Sequence, residues 1–244
     1  MKKKLIALMI INFIIFSAIV LANAQTEIID PQVKISENKL ESFKAGGTLI
    51  NIPQPNAELV EVGYDVREMM EIFVPGSNRL LAGYMRASDI PLFVQGAEDF
   101  LLNQYASIQI ARQGEYQDCK ESDFKELVDY VQGSFEEDID QIMKDSETEF
   151  NQKMKSMDLA KVNIDKPVQL GTLFSKPDAY SMGMISTYSN GTKSWTLIIA
   201  TTFVRVRERL LFVYLFNTYN NEQDVSAVRA TAEKWADAIL AANK

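Results

Sequence analysis

The stretch from Trp195 to Tyr219 constrains the fold more than any other part of the chain: two strongly apolar runs flank the charged tract Arg205-Val206-Arg207-Glu208-Arg209. Twenty-five residues are too many for one strand, since typical strands have about five or six. The stretch therefore reads as two strands and a hairpin turning near Arg207-Glu208. In Leu210 to Phe216 both alternating sets are apolar, Leu210, Phe212, Tyr214 and Phe216 on one side and Leu211, Val213 and Leu215 on the other. A strand of that pattern is buried on both faces, which requires a layer above and a layer below its sheet.

The rest of the chain supplies those layers and more strands. Val66, Met69, Met70 and Phe73 recur at helical spacing over Asp65–Phe73. Phe124, Leu127, Val128, Val131, Phe135, Ile139, Ile142, Phe150, Met154 and Met157 trace one face of a longer amphipathic helix, with Ser122 as its N-cap. Unbroken, that helix would measure about 54 Å, whereas a globule of about 220 residues is only about 44 Å across. A break is expected at Gly133-Ser134 or, failing that, at Asp145-Ser146. A last helix opens on a capping box, Asn221 with Asp224, and carries Val225, Val228, Ala232, Trp235, Ile239 and Leu240 on its apolar stripe. Strands are expected at Thr48–Ile52, Leu59–Val62, Leu80–Met85, Tyr105–Ala111, Leu170–Phe174 and Tyr180–Tyr188, and a helical turn at Ala97–Asn103. Asn190-Gly191 is the strongest turn signal, because a type I′ turn needs positive φ at both central residues.

The N-terminus has the form of an export signal. Lys2, Lys3 and Lys4 precede the apolar run Leu5–Leu21, and Ala22-Asn23-Ala24 supplies a small-x-small site, so cleavage is expected before Gln25. A retained anchor is the alternative, since the run is near the lower limit for a spanning helix of about 17–25 residues. The division expected is a signal peptide over 1–24, a flexible lead-in over 25–46 and a single α+β domain over 47–244. Loss of three lysines with the signal takes the formal charge from −8 to −11, a field that repels nucleic acid and anionic membranes. The membrane enters only through an uncleaved signal segment.

A strand ending in Ile50-Asn51-Ile52-Pro53, a middle helix, hairpins from Tyr180 to Tyr219 and a closing helix with Trp235 and Asn243 together resemble the PsbP-like α/β/α sandwich, found also in small exported bacterial proteins. The resemblance implies a mainly antiparallel sheet covered by helices on both faces. It carries no site residues with it, because fold does not fix function.

Composition removes much chemistry. The chain has no His and a single Cys, Cys119, so Ser-His-Asp and Cys-His catalysis, His-ligated zinc and an intrachain disulfide are all excluded. Cys119 precedes the long helix, where the dipole and Lys120 could lower a thiol pKa, but with no His to act as base it reads as a plain or oxidisable surface Cys. Arg205, Arg207 and Arg209, alternating on an extended chain, share one face and form a candidate anion clamp; otherwise they solvate a hairpin tip. The acidic run Glu136, Glu137, Asp138, Asp140, Asp145, Glu147 and Glu149 lacks the spacing of a calcium loop. Tyr180, Tyr188, Tyr214 and Tyr219 fit a core better than a ligand site. No cofactor, metal or catalytic residue is implied. The expectation is an exported domain, periplasmic or secreted, that binds a protein or small-molecule partner without catalysis. The alternative is a hydrolase of cell-envelope polymers working through paired carboxylates.

Overall fold

The computed structural model describes residues 41–71, 74–95, 104–156, 162–190 and 193–244. The signal segment and most of the lead-in therefore lie outside the described residues, as does the helical turn expected at Ala97–Asn103.

The chain runs β1 (Glu41–Ala45), β2 (Thr48–Ile52), β3 (Leu59–Glu61), α1 (Tyr64–Glu71), β4 (Asn78–Arg86), α2 (Asp89–Gln95), β5 (Gln104–Ala111) and α3 (Glu121–Ser156). It continues through β6 (Asn163–Ile164), β7 (Val168–Lys176), β8 (Ala179–Ser189), β9 (Ser194–Val206) and β10 (Arg209–Thr218) to α4 (Glu222–Ala241). Eight strands form one sheet in the order β3-β4-β5-β10-β9-β8, with β6 and β7 sharing the far side of β8. Every pairing in it is antiparallel. The architecture is mixed α and β around a mainly antiparallel sheet.

β10 lies in the middle of that sheet and is buried on both sides. Phe212, Tyr214 and Phe216 join one apolar cluster with Met70 of α1, Ile90 and Phe93 of α2, and Phe124, Leu127 and Val131 of α3. Leu211, Val213 and Leu215 join a second cluster with Ile50 and Ile52 of β2 and Val228, Ala232, Trp235 and Ile239 of α4. The two-sided apolar pattern thus translates directly into a covered sheet. The capping box of α4 forms as the sequence suggests: the Asn221 side chain accepts the Gln223 amide at 2.9 Å, and Asp224 accepts the Asn221 amide at 3.1 Å.

Three expectations are corrected. The lead-in ends sooner than 46, because Glu41–Ala45 is a strand paired to β2 across Gly46-Gly47, both at positive φ (55° and 86°). A glycine adopts that backbone without steric cost. Secondly, α3 runs its 36 residues unbroken. An isolated Gly133 costs a helix about 1 kcal/mol and does not forbid it. A sheet seven positions wide with strands up to thirteen residues long measures about 29 by 43 Å, a diagonal of about 52 Å. The C-terminal end of α3 is tied down by Asn151, whose amide exchanges two 3.0 Å bonds with the Val162 backbone, and by Lys153, which donates to the Val74 carbonyl at 2.7 Å. The side chains of Phe135, Ile139, Ile142, Phe150 and Met154 lie outside the described set, as does Met157. Thirdly, α3 is entered one residue earlier than Ser122; Asp123 caps it by accepting the Lys120 amide at 3.2 Å.

Candidate functional site

The β9–β10 hairpin closes on Arg207 and Glu208, which occupy the left-handed region at φ 46° and 59°. Cross-strand pairing sets the directions of the side chains on either side of the turn. Arg205 stands opposite Leu210, and Val206 stands opposite Arg209. Leu210 packs on the first cluster and Val206 belongs to the second, so Arg205 and Arg209 emerge on opposite faces of the sheet. The premise of one shared face fails because a two-residue turn separates the arginines that an extended chain would have aligned.

Each of the three is engaged by the protein itself. Arg205 donates its backbone amide to the Asp178 carbonyl at 2.9 Å and pairs through Nη2 with the Asp178 carboxylate at 2.5 Å. Arg207 donates from Nε to the Asn243 carbonyl (3.1 Å) and from Nη1 to the Leu49 carbonyl (2.8 Å). Arg209, with 11% of its side chain exposed, donates from Nε to the Ala45 carbonyl (3.3 Å) and from Nη1 to the Gln117 carbonyl (3.1 Å) and the Asp118 carboxylate (2.7 Å).

A fourth arginine, which the sequence did not single out, completes this set. Arg79 at the start of β4 donates to the Lys44 carbonyl at 2.7 Å and to Glu115, from Nε at 3.2 Å and also from Nη2. Glu115 in turn accepts the Gly46 amide at 3.2 Å. Burial alone would raise the Glu115 carboxyl, but the bonds from Arg79 and Gly46 and the charges of Arg79 and Arg112 outweigh it, leaving it below the usual carboxylate range. Arg79, Arg207 and Arg209 thus grip the backbone carbonyls of one element, the β1–β2 hairpin.

Other candidates find ordinary places. Burial first, then the charge of Asp123, pushes the Cys119 thiol up to about 11, the reverse of the activation that the helix end and Lys120 suggested. Tyr180, Tyr188 and Tyr214 are core members of the first cluster, and burial holds the Tyr214 hydroxyl well above its ordinary range. Of the acidic run, Glu147 and Glu149 have described side chains; Glu149 accepts the Gly76 amide at 3.0 Å and pairs with Lys153 at 3.1 Å. The remaining acidic side chains of that run lie outside the described set. Glu233 and Asp237, one turn apart on α4, both engage the ammonium of Lys176, at 3.1 and 2.7 Å.

A groove of about 520 Å³ opens between the first turns of α3 and the β7–β8 turn. It is lined by the apolar side chains of Phe124, Val128 and Pro177 and by Lys125, Lys176, Ser122, Ser175 and Glu121. Among the described residues that line it, Glu121 is the one carboxylate.

No protein-family model matches the chain, and no curated protein matches it. Among solved structures it is similar to a point mutant of the protein Mog1, at 13% identity and a TM-score of 0.38, over 85% of this chain and 95% of that one. It is likewise similar to the Ran-binding protein Mog1p of Saccharomyces cerevisiae, at 11% identity and a TM-score of 0.35, over 84% of this chain and 95% of that one. Likeness of this degree carries nothing about what this chain binds.

Proposed function

We propose that the protein is an exported, non-catalytic binding module, released outside the cytoplasm by cleavage before Gln25, that engages a protein partner through the groove beside α3. One observation carries the reading: the central strand β10 is buried on both sides, and the groove beside α3 is lined by apolar side chains and, among the described residues, a single carboxylate. A surface of that kind holds another chain's side chains against Phe124, Val128 and Pro177. Carboxylate-based hydrolysis of a glycoside needs two acids about 5–10 Å apart across a cleft, and among the described residues Glu121 is the one carboxylate lining the groove. Glu233 and Asp237 do come together, but each is held by Lys176.

The test is site-specific photo-crosslinking in the cells that make the protein. A benzophenone side chain at Lys125 is expected to give one discrete adduct with another polypeptide, while the same group at Asn56, away from the groove, gives none. Equal adduct patterns at the two sites, or release of sugar from envelope polymers by the purified protein, would sink the reading. N-terminal sequencing of the exported chain is expected to begin at Gln25.

A further inference from the structure

We propose that the β1–β2 hairpin is a releasable strap: a separate cooperative unit that opens from the body while the eight-stranded sheet stays folded. This stands independently of the groove reading. The hairpin forms its own two-stranded sheet, Glu41–Ala45 against Thr48–Ile52, and shares no ladder with the main one. Among the described residues no backbone-to-backbone hydrogen bond joins it to the rest of the protein. A lone two-stranded hairpin is marginal in water, so the body must hold it in place.

The polar part of the holding is done mainly by side chains reaching to its backbone. Arg79, Arg209 and Arg207 donate to the carbonyls of Lys44, Ala45 and Leu49. Glu115 accepts from Gly46 at the tip. At the other end Asn243 both accepts from and donates to the Asn51 backbone, at 2.8 and 2.7 Å. The inner side chains Ala45, Ile50 and Ile52 are fully buried against α4 and the sheet. Those are strong contacts, but they are local. Removing the hairpin breaks no strand pairing of the main sheet, whereas opening β9 or β10 breaks two ladders each. Regions that detach without disturbing the central ladder open at lower free energy than the global transition.

The grip is electrostatic at the tip, and it weakens in acid. Glu115 faces Arg79 from β4, Arg112 from the end of β5 and the Gly46 amide of the hairpin itself, while Arg112 is shared with Glu71 of α1 at 3.2 Å. Protonation of Glu115 removes the negative charge that holds Arg79 and weakens the bond from the Gly46 amide.

Hydrogen–deuterium exchange on the whole exported chain tests the strap. Amides of residues 43–52 are expected to exchange roughly 100-fold faster than those of β9 and β10, with the weaker denaturant dependence of a sub-global opening. Arg79→Lys and Glu115→Gln should each speed the hairpin further and speed β9 and β10 by no more than the same factor, keeping the gap between hairpin and central strands. Coincident exchange of hairpin and central strands in the wild-type protein, with one common denaturant dependence, overturns the proposal. That comparison decides the matter even if neither variant folds.

Discussion

Asn243 is the second-last residue of the chain, yet its loss should be among the costlier polar substitutions. Its side chain accepts the Asn51 amide at 2.8 Å and donates to the carbonyls of Asn51 and Ile239, both at 2.7 Å, with the residue 7% exposed. Each such bond contributes about 1 kcal/mol net, and a buried partner left unsatisfied costs about 1–3. Asn51 is half-buried, so water recovers part of the loss there. Asn243→Ala is therefore expected to destabilise by about 2–3 kcal/mol, a fall in Tm of roughly 5–10 °C for a chain of this size. Urea unfolding followed by circular dichroism reads it, and the midpoint should fall with an unchanged slope. Asn243→Asp supplies the sharper contrast. A carboxylate oxygen in place of Nδ2 would face two carbonyl oxygens and lose both donated bonds, so Asp should be at least as damaging as Ala despite being nearly isosteric. A loss below about 0.5 kcal/mol for Ala, the range of ordinary surface substitutions, would refute the view that this amide fastens α4 to β2.

Single contacts set the remaining expectations. Gly46→Ala should be severely destabilising, because a Cβ there would overlap the Glu115 carbonyl oxygen at a φ of +55°; Gly47→Ala, with open space around it, should cost only the backbone penalty of about 1–2 kcal/mol, and thermal melts of the pair separate the two effects. Cys119, its thiol shifted from 9.0 to about 11, should react with iodoacetamide at pH 7.5 roughly 100-fold more slowly than the same residue in the urea-unfolded chain; equal rates would mean that the folded protein leaves the thiol open to solvent. Glu115 has a folded pKa below its ordinary value, so its contribution is present above the unfolded pKa and lost as pH falls through the folded one. Glu115→Gln should accordingly flatten the acid limb of the stability profile and lower stability at neutral pH, whereas an unaltered acid limb would show that this carboxyl does not titrate with unfolding.

Patterns with a short period were legible in the sequence, and distances were not. Alternation in Leu210–Phe216 located a strand buried on both faces, and Asn221 with Asp224 marked the start of α4, because each signal is local and complete within a few residues. The long helix was legible as a helix but not as a length, because residue number alone does not set how far a sheet extends. Arg79 and Glu115 carried no signal at all: they lie thirty-six positions apart in sequence, and each looks like ordinary surface charge until β4 and the loop after β5 bring them together. Asn190 shows the limit of a strong local signal. Ser189 pairs with Ser194 and the Asn190 amide donates to the Lys193 carbonyl at 3.1 Å, while Gly191 lies outside the described residues. The Asn190 side chain accepts the Lys193 amide at 2.9 Å.

The arginine tract illustrates how the same residues change meaning with the turn. Read as an extended chain, Arg205, Arg207 and Arg209 present three guanidinium groups to one ligand. A two-residue turn at positive φ is the tightest way to join strands as long as β9 and β10, and it reverses the chain between the outer two. Arg205 is thereby directed to Asp178 beside the β7–β8 turn, while Arg207 and Arg209 meet the β1–β2 hairpin. Guanidinium forks favour fixed oxygen acceptors, and backbone carbonyls of a hairpin that lacks a ladder to the sheet offer them in number. The clamp expected for an external anion thus has an internal occupant, and an external anion would have to compete with Leu49, Ala45 and Lys44 for donors already within bonding distance. Lifting the hairpin would free only the donors given to its carbonyls, since Glu115, the Asn243 carbonyl and Asp118 still hold Arg79, Arg207 and Arg209.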